Sequence, residues 1–344
     1  MGTQMDALSA SERRISRRHA LAGLAAIGVA GTLAARQAAP SSRQIVDVHA
    51  HYYPQVLKDL RLPTPMNAWS LQSHIDAMGA AGVARSILSL TTPGVVASGE
   101  DGRKLVRESN EFAAKTRADH PGLFGFFACV QPGDTEGALR EIEYALDVLK
   151  AQGIGLFTSY GSRWLGDPQF DPVFAELERR KAVVYVHPAS PACCSRLIPG
   201  VADTVVEYGT DTTRAIASYV YRGAAQKFPN VRMIWSHGGG SMPFLIERFD
   251  FADRSEAAKA HAPAGFRAAA SRFFYEIAQA SNPVATTALR HVIPVNHILF
   301  GTDYPFRTPL EHVQGLESGG VFSREELRGV YREHVRQGLP ELLA

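Results

Sequence analysis

The chain has 344 residues, 45% of them apolar and 20% charged. That composition suits one large globular domain or two medium ones and excludes a disordered chain, a coiled coil and a multi-span membrane protein. The formal charge is +2, with five basic residues (Arg13, Arg14, Arg17, Arg18, Arg36) against Asp6 and Glu12 before residue 40, so the body is near neutral and gives no electrostatic reason to expect nucleic acid as a partner.

Residues 1–39 read as an address. Ser16-Arg17-Arg18 stands directly before an uncharged stretch over 20–35 that ends in small residues. This is the pattern of a twin-arginine-type export signal, and it predicts a periplasmic or secreted protein. The stretch is short and only mildly apolar for a span that needs ~20 residues, so no stable membrane span is expected once the signal is removed. A Pro/Ser-containing linker follows, and the folded domain is expected over 40–344.

From there strand-like and helix-like pieces alternate. Strands are expected over 45–50, 85–90, 123–130, 153–159, 183–187, 231–236, 273–278 and 298–302, mostly as continuous apolar runs of the kind buried on both faces. Amphipathic helices are expected over 70–81, 104–120, 135–152, 171–181, 212–227, 242–252 and 283–292. A last one over 323–337 opens on Ser323 and Glu326, spaced as a capping box. Eight β/α units in about 300 residues fit an α/β (β/α)8 TIM barrel. A doubly wound open sheet is the competing arrangement, but no Gly-x-Gly-x-x-Gly follows the first strand, which weakens a dinucleotide-binding version. The stretch 189–211 is long for a βα loop and is expected to cover the site.

Metal-ligand residue types collect at strand ends. The first strand ends Asp47-Val48-His49-Ala50-His51, and residues two apart on a strand share a face. The fifth ends in His187, the sixth runs into His237 and Gly238-Gly239-Gly240, and the eighth runs into Asp303. All lie at carboxyl ends of strands, the face on which TIM-barrel active sites are built.

These pieces give the sequence a specific resemblance. Asp-Val-His-Ala-His (47–51), Val-Tyr-Val-His-Pro (184–188), Trp-Ser-His-Gly-Gly-Gly (235–240) and Leu-Phe-Gly-Thr-Asp-Tyr-Pro (299–305) resemble the amidohydrolase superfamily. Within it they resemble the amidohydrolase-related branch that includes aminocarboxymuconate-semialdehyde decarboxylase. Thr158-Ser159-Tyr160-Gly161, the run Trp164-Leu165-Gly166-Asp167-Pro168 and Tyr275-Glu276-Ile277-Ala278-Gln279 look closest to members described as 6-methylsalicylate decarboxylases. The resemblance implies that His49, His51, His187 and Asp303 bind a divalent metal, with His237 a catalytic group beside it and Asp303 also handling a proton. It also carries the expectation of a homodimer. Many binuclear relatives have a Lys at the end of the fourth strand; the stretch 153–159 here has no Lys, Glu or Cys to bridge two ions, which predicts one ion per chain. Three His and a carboxylate suit zinc by ligand type, with manganese the alternative.

Two reactions fit those residues. One is decarboxylation of an aromatic or unsaturated carboxylic acid such as a hydroxybenzoate; the other is hydrolysis of a lactone, amide or ester through metal-activated water. The two long segments that look like decarboxylases favour the first. Tyr52, Arg163, Trp164 and Arg307 follow strand mouths and are candidate substrate contacts, Arg because it fits a carboxylate bidentately. Three cysteines cannot build a disulfide framework, and a bond between adjacent cysteines is strained, so Cys193 and Cys194 are expected as two free thiols or a loop contact. The glycine run lets the backbone turn closely beside the metal site. His74, His120, His261, His291, His297, His312 and His334 are expected as surface or capping residues.

Overall fold

The computed structural model describes residues 44–58, 66–92, 94 and 97–344; the export signal expected over 1–39 lies outside the described residues. Eight strands form one sheet in chain order: β1 (Ile45–His51), β2 (Val83–Ser89), β3 (Phe124–Cys129), β4 (Gly153–Phe157), β5 (Val183–His187), β6 (Arg232–Trp235), β7 (Phe274–Glu276) and β8 (Ile298–Leu299). Every neighbouring pair is parallel. Beyond β8 the chain runs on beside β1, where Val48 N donates to Phe300 O (3.0 Å) and His51 N to Tyr304 O (2.8 Å). Those bonds and the Ala50–Tyr304 bridge close the sheet into a (β/α)8 barrel.

The continuous apolar runs arise because both faces of each strand are covered. One buried cluster joins Val46, Val48, Ile87, Phe127, Tyr185, Ile234, Phe274 and Leu299 from seven strands, and Leu339 and Leu342 near the chain's end pack into it. Residues from so many strands can meet only inside the barrel, and Phe127 stacks on Tyr185 there (5.2 Å between centroids, 11°). A second, larger cluster fills the layer between strands and helices, with Leu88, Phe126, Val184, Trp235 and Tyr219 among its members. Each fully buried side chain of this size contributes about 1.5–3 kcal/mol.

The helices are α1 (Leu71–Ala81), α2 (Gly99–Asp119), α3 (Thr135–Glu143), α4 (Asp171–Arg180), α5 (Asp203–Tyr221), α6 (Pro283–Val292) and α7 (Pro309–Gly319), with several shorter turns. Their ends follow local chemistry. Ser70 caps α1, which stops at Gly82 in the left-handed region (φ 77°). The Ser323–Glu326 capping box is present. The helical stretch it opens is interrupted by a π turn over Gly329–Glu333, with the His334 ring lying directly over Gly329.

Two expectations are corrected. The stretch 189–211 is only partly a loop, because α5 starts at Asp203. Its first turns bury Glu207 and Asp211 while Val205 and Val206 face solvent, the reverse of the usual amphipathic pattern. Helix α7, opened by a Thr308–Glu311 capping box, was not expected. Among the described residues no helix is long and apolar enough to cross a membrane.

Candidate active site

The carboxyl ends of β1, β5 and β8 bring His49, His51, His187 and Asp303 together, with one ligand atom from each within 4.8 Å of the others and all four residues buried. The two-residue spacing on β1 puts the His49 and His51 rings 4.8 Å apart. In each histidine the Nδ1 atom is already committed: His49 to Glu276 Oε1 (2.9 Å), His51 to Ser89 O (3.2 Å) and His187 to Pro188 O (2.8 Å). Each acceptor is an oxygen, so Nδ1 donates and Nε2 keeps its lone pair.

The three bare Nε2 atoms then face one carboxylate oxygen. His49 Nε2 and His51 Nε2 lie 3.0 Å apart, and Asp303 Oδ1 lies 3.2, 2.9 and 4.0 Å from the Nε2 atoms of His49, His51 and His187. Neutral nitrogens with no proton between them do not hydrogen-bond to each other. They fit a cation, and three nitrogens with one oxygen are a donor set for a divalent metal.

The electrostatics agree. Burial raises the Asp303 carboxyl, but the surrounding His49, His237 and His51 outweigh it and hold it well below its usual value. Burial lowers His49, yet the carboxylates of Glu276 and Asp303 prevail and push it up to about 10. Burial holds His187 well below its ordinary range. Without an ion that field holds a second proton on His49; a divalent cation would take the proton's place and leave Nε2 as a donor to it.

Glu276, on β7, is fully buried and was given no role in the sequence reading. Besides His49 Nδ1 it accepts His237 N (2.7 Å) and Ala278 N (2.6 Å). Its signal was an acid inside the apolar run of a strand, since a buried carboxylate must be paired. Asp47 fastens β1 to its neighbours: Oδ1 accepts His49 N (3.0 Å), while Oδ2 accepts Thr302 Oγ1 (2.7 Å) and Ser86 Oγ (3.3 Å).

His237 stands beside the four. Its backbone is left-handed (φ 54°) and is held there by the Glu276 bond. Its Nε2 is 3.6 Å from Asp303 Oδ2, the oxygen turned away from the quartet. Gly238, Gly239 and Gly240 all have positive φ, and a Cβ on Gly240 would run into Gly209 O of α5. The glycines therefore permit the tight turn and the close packing of α5 against it.

Above the quartet opens a cavity of ≈ 2020 Å³, lined among others by Thr91, Thr92, Phe157, Tyr208, Gln279 and Phe306. Phe157 and Tyr208 stand 6.1 and 6.0 Å from the His187 ring and Phe306 6.0 Å from the His51 ring. The Tyr208 hydroxyl bonds Thr92 Oγ1, and Thr91 Oγ1 is 3.2 Å from His187 Nε2. The floor is ligand-rich and the walls are aromatic.

The structure does not bring the four candidate substrate contacts to this cavity. Tyr52 is buried in the outer layer, stacked on Phe112 (5.9 Å, 10°), because the chain leaves the strand immediately after His51. Trp164 donates Nε1 to the buried Asp211 (2.6 Å), tying the hairpin after β4 to α5. Arg163 and Arg307 are solvent-exposed, the latter 3.5 Å from Glu311. Three histidines expected at the surface are buried: His74 between Trp69 and Ser86, His334 on Ile298 O, and His312 between Thr308 O and Gln279 N. Cys193 and Cys194, expected as two thiols or a loop contact, are paired with each other as a disulfide within a turn of the loop after β5, where Cys194 N donates to Pro191 O (2.9 Å).

Comparison with known proteins gives a consistent picture. A family model described as Amidohydrolase matches residues 46–333. The chain is 34% identical over 276 residues to the 6-methylsalicylic acid decarboxylase of Penicillium expansum, covering 76% of this chain and 84% of that protein. It is 25% identical over 272 residues to the 2-amino-3-carboxymuconate-6-semialdehyde decarboxylase of Dictyostelium discoideum, covering 76% and 75%. Among solved structures, a dihydroxybenzoic acid decarboxylase from a Polaromonas species, with bound manganese and the inhibitor 2-nitroresorcinol, superposes with a TM-score of 0.73 at 18% identity, covering 88% of this chain and 97% of that one.

Proposed function

The chain belongs to the amidohydrolase family, and we propose that its site removes the carboxylate of a small hydroxylated aromatic acid with one divalent ion held by His49, His51, His187 and Asp303. It is an enzyme, a metal-dependent carboxy-lyase. The observation that carries the reading is the convergence of three imidazole Nε2 atoms and one carboxylate oxygen at the floor of an aromatic-walled cavity. Relatives named as decarboxylases favour it over hydrolysis of an ester, amide or lactone at the same atoms.

When bound, the ion supplies Lewis-acid polarisation of the substrate's carboxylate and hydroxyl oxygens. Phe157, Tyr208 and Phe306 hold the ring and keep water away. As the bond to the carboxylate breaks, carbon dioxide leaves and the electron pair stays on the ring carbon. A proton must replace it, and the facing pair of Asp303 Oδ2 and His237 Nε2 (3.6 Å) is placed to hold and deliver one. Three nitrogens and one oxygen suit zinc; the manganese in the Polaromonas structure supports the alternative.

Elemental analysis of the purified full chain, followed by carbon dioxide release from a panel of hydroxybenzoates, tests the reading; no release from any of them overturns it. The proposal includes export through the twin-arginine-type segment within residues 1–39 of a catalytic domain over 40–344, supported by the arginine pair before an uncharged stretch. Replacing Arg17 and Arg18 by Lys should leave the protein inside the cell. A homodimer is also proposed, and sedimentation of the holoenzyme tests it.

A further inference from the structure

Three residues at the site, Asp303 of the quartet and two beside it, have a left-handed backbone although none is glycine: His237 (φ 54°), Gln279 (φ 58°) and Asp303 (φ 61°). They follow β6, β7 and β8, three adjacent strands. His237 and Asp303 already have parts in the proposed reaction, whereas Gln279 has none. Glutamine is a poor choice for this region, which favours glycine, asparagine and aspartate. Such strain persists only where the surroundings over-determine it, and it collects at functional sites.

The surroundings that impose it are visible. Gln279 N donates to Nε2 of His312 (3.1 Å). His312 is fully buried on α7, and its own Nδ1 donates to Thr308 O (3.0 Å), which leaves Nε2 as the acceptor. From that fixed backbone the Gln279 side chain reaches across the rim of the cavity, and its Nε2 donates to Asp303 Oδ2 (2.9 Å). The other oxygen, Oδ1, faces the Nε2 atoms of His49 and His51. A carboxylate turns readily about its last bond, so an amide on Oδ2 fixes the plane in which Oδ1 meets the quartet.

We propose that Gln279 is a positioning residue for Asp303, with His312 as the strut that holds Gln279 in its strained conformation. The inference rests on the reading of Asp303 as a ligand and proton carrier. A glutamine present only to make the turn would need neither the long side chain nor the buried histidine behind it.

Glycine relieves the left-handed strain, so Gln279→Gly separates positioning from folding. With positioning, Gln279→Gly melts no lower than the wild type and keeps its metal content, while kcat falls by about 10²-fold, the scale of a small misplacement of reacting groups, and KM shifts much less. Gln279→Ala, which loses the amide but keeps the strain, shows the same kcat loss without any gain in Tm. The second readout needs no turnover: with Co2+ in the site, the visible ligand-field spectrum of Gln279→Gly differs from that of the wild type because the Asp303 carboxylate is no longer fixed. A wild-type-like cobalt spectrum, or Tm and kcat falling together in Gln279→Gly, overturns the proposal. If the wild type releases carbon dioxide from no acid tested, the decarboxylase reading fails by itself, and the cobalt spectra still decide the positioning of Asp303.

Discussion

Glu276 accepts the Nδ1 hydrogen of His49 at 2.9 Å from a strand on the far side of β8 from β1, and with the same oxygen it accepts the backbone N–H of His237 at 2.7 Å. One buried carboxylate thus sets the tautomer of a proposed metal ligand and the backbone of His237. Glu276→Gln keeps the shape but removes the charge and offers a single acceptor oxygen where three N–H groups converge. Loss of such an outer partner costs 10–100-fold in metal affinity. Competition with a chelator should show a dissociation constant raised by roughly that factor. An affinity equal to the wild type's would mean that His49 is oriented by packing alone.

What could be read from the sequence follows from what periodicity records. The two-residue step on β1 placed His49 and His51 on one face, and the apolar runs located all eight barrel strands. Glu276 stands out as an acid in the apolar run 273–278, but its partners His49 and His237 lie on other strands, and no local pattern names them. The start of α5 stayed hidden because its buried positions, Glu207 and Asp211, are polar and its exposed ones, Val205 and Val206, apolar. Missing α7 removed the context that makes His312 a buried acceptor. Tyr52 follows a strand mouth in sequence, but its burial against Phe112 depends on the turn the chain makes after His51, which no local pattern encodes.

His237 should be separable from the metal. Its φ of 54° is one that asparagine tolerates, so His237→Asn keeps the local fold, and the imidazole approaches Asp303 at Oδ2, the oxygen turned away from the quartet. Metal content should stay at the wild-type level while turnover falls by ~10² or more, the usual size of a lost acid–base contribution. Full metal with most of the turnover retained would remove His237 from the reaction.

The quartet should bind one ion per chain. β4 contributes Gly153-Ile154-Gly155-Leu156-Phe157, and none of these side chains can bridge a second ion. Replacing His49 and His51 together by Ala removes two of four donors and should empty the site. Elemental analysis that finds two tightly held ions per wild-type chain would contradict this count.

Acid stability should carry the signature of His74. The Trp69 indole N–H points at its Nδ1 (3.4 Å), and its Nε2 lies 3.3 Å from Ser86 Oγ. Trp donates only, so the ring is neutral with its hydrogen on Nε2, and a second proton would set two donors face to face. Burial, with a smaller contribution from His51, lowers the His74 pKa to about 3. In the unfolded chain the group titrates near ~6.5. Between these values the unfolded state binds a proton that the folded state refuses, so stability rises with pH from about 3 to 6.5 and is fully present above that window. Each pH unit below ~6.5 then costs about 1.4 kcal/mol, or about 2 kcal/mol between pH 7 and pH 5. The buried His51, His187, His312 and His334, lowered by burial, act in the same direction and the raised His49 in the opposite one, so the informative quantity is a difference between two proteins. His74→Gln removes the titration while keeping a polar side chain between Trp69 and Ser86. Denaturant unfolding of both at pH 7 and pH 5 should show the wild type losing about 2 kcal/mol more than the variant. Equal losses would mean that the folded protein accepts a proton at His74 and that the contact with Trp69 does not hold the ring neutral.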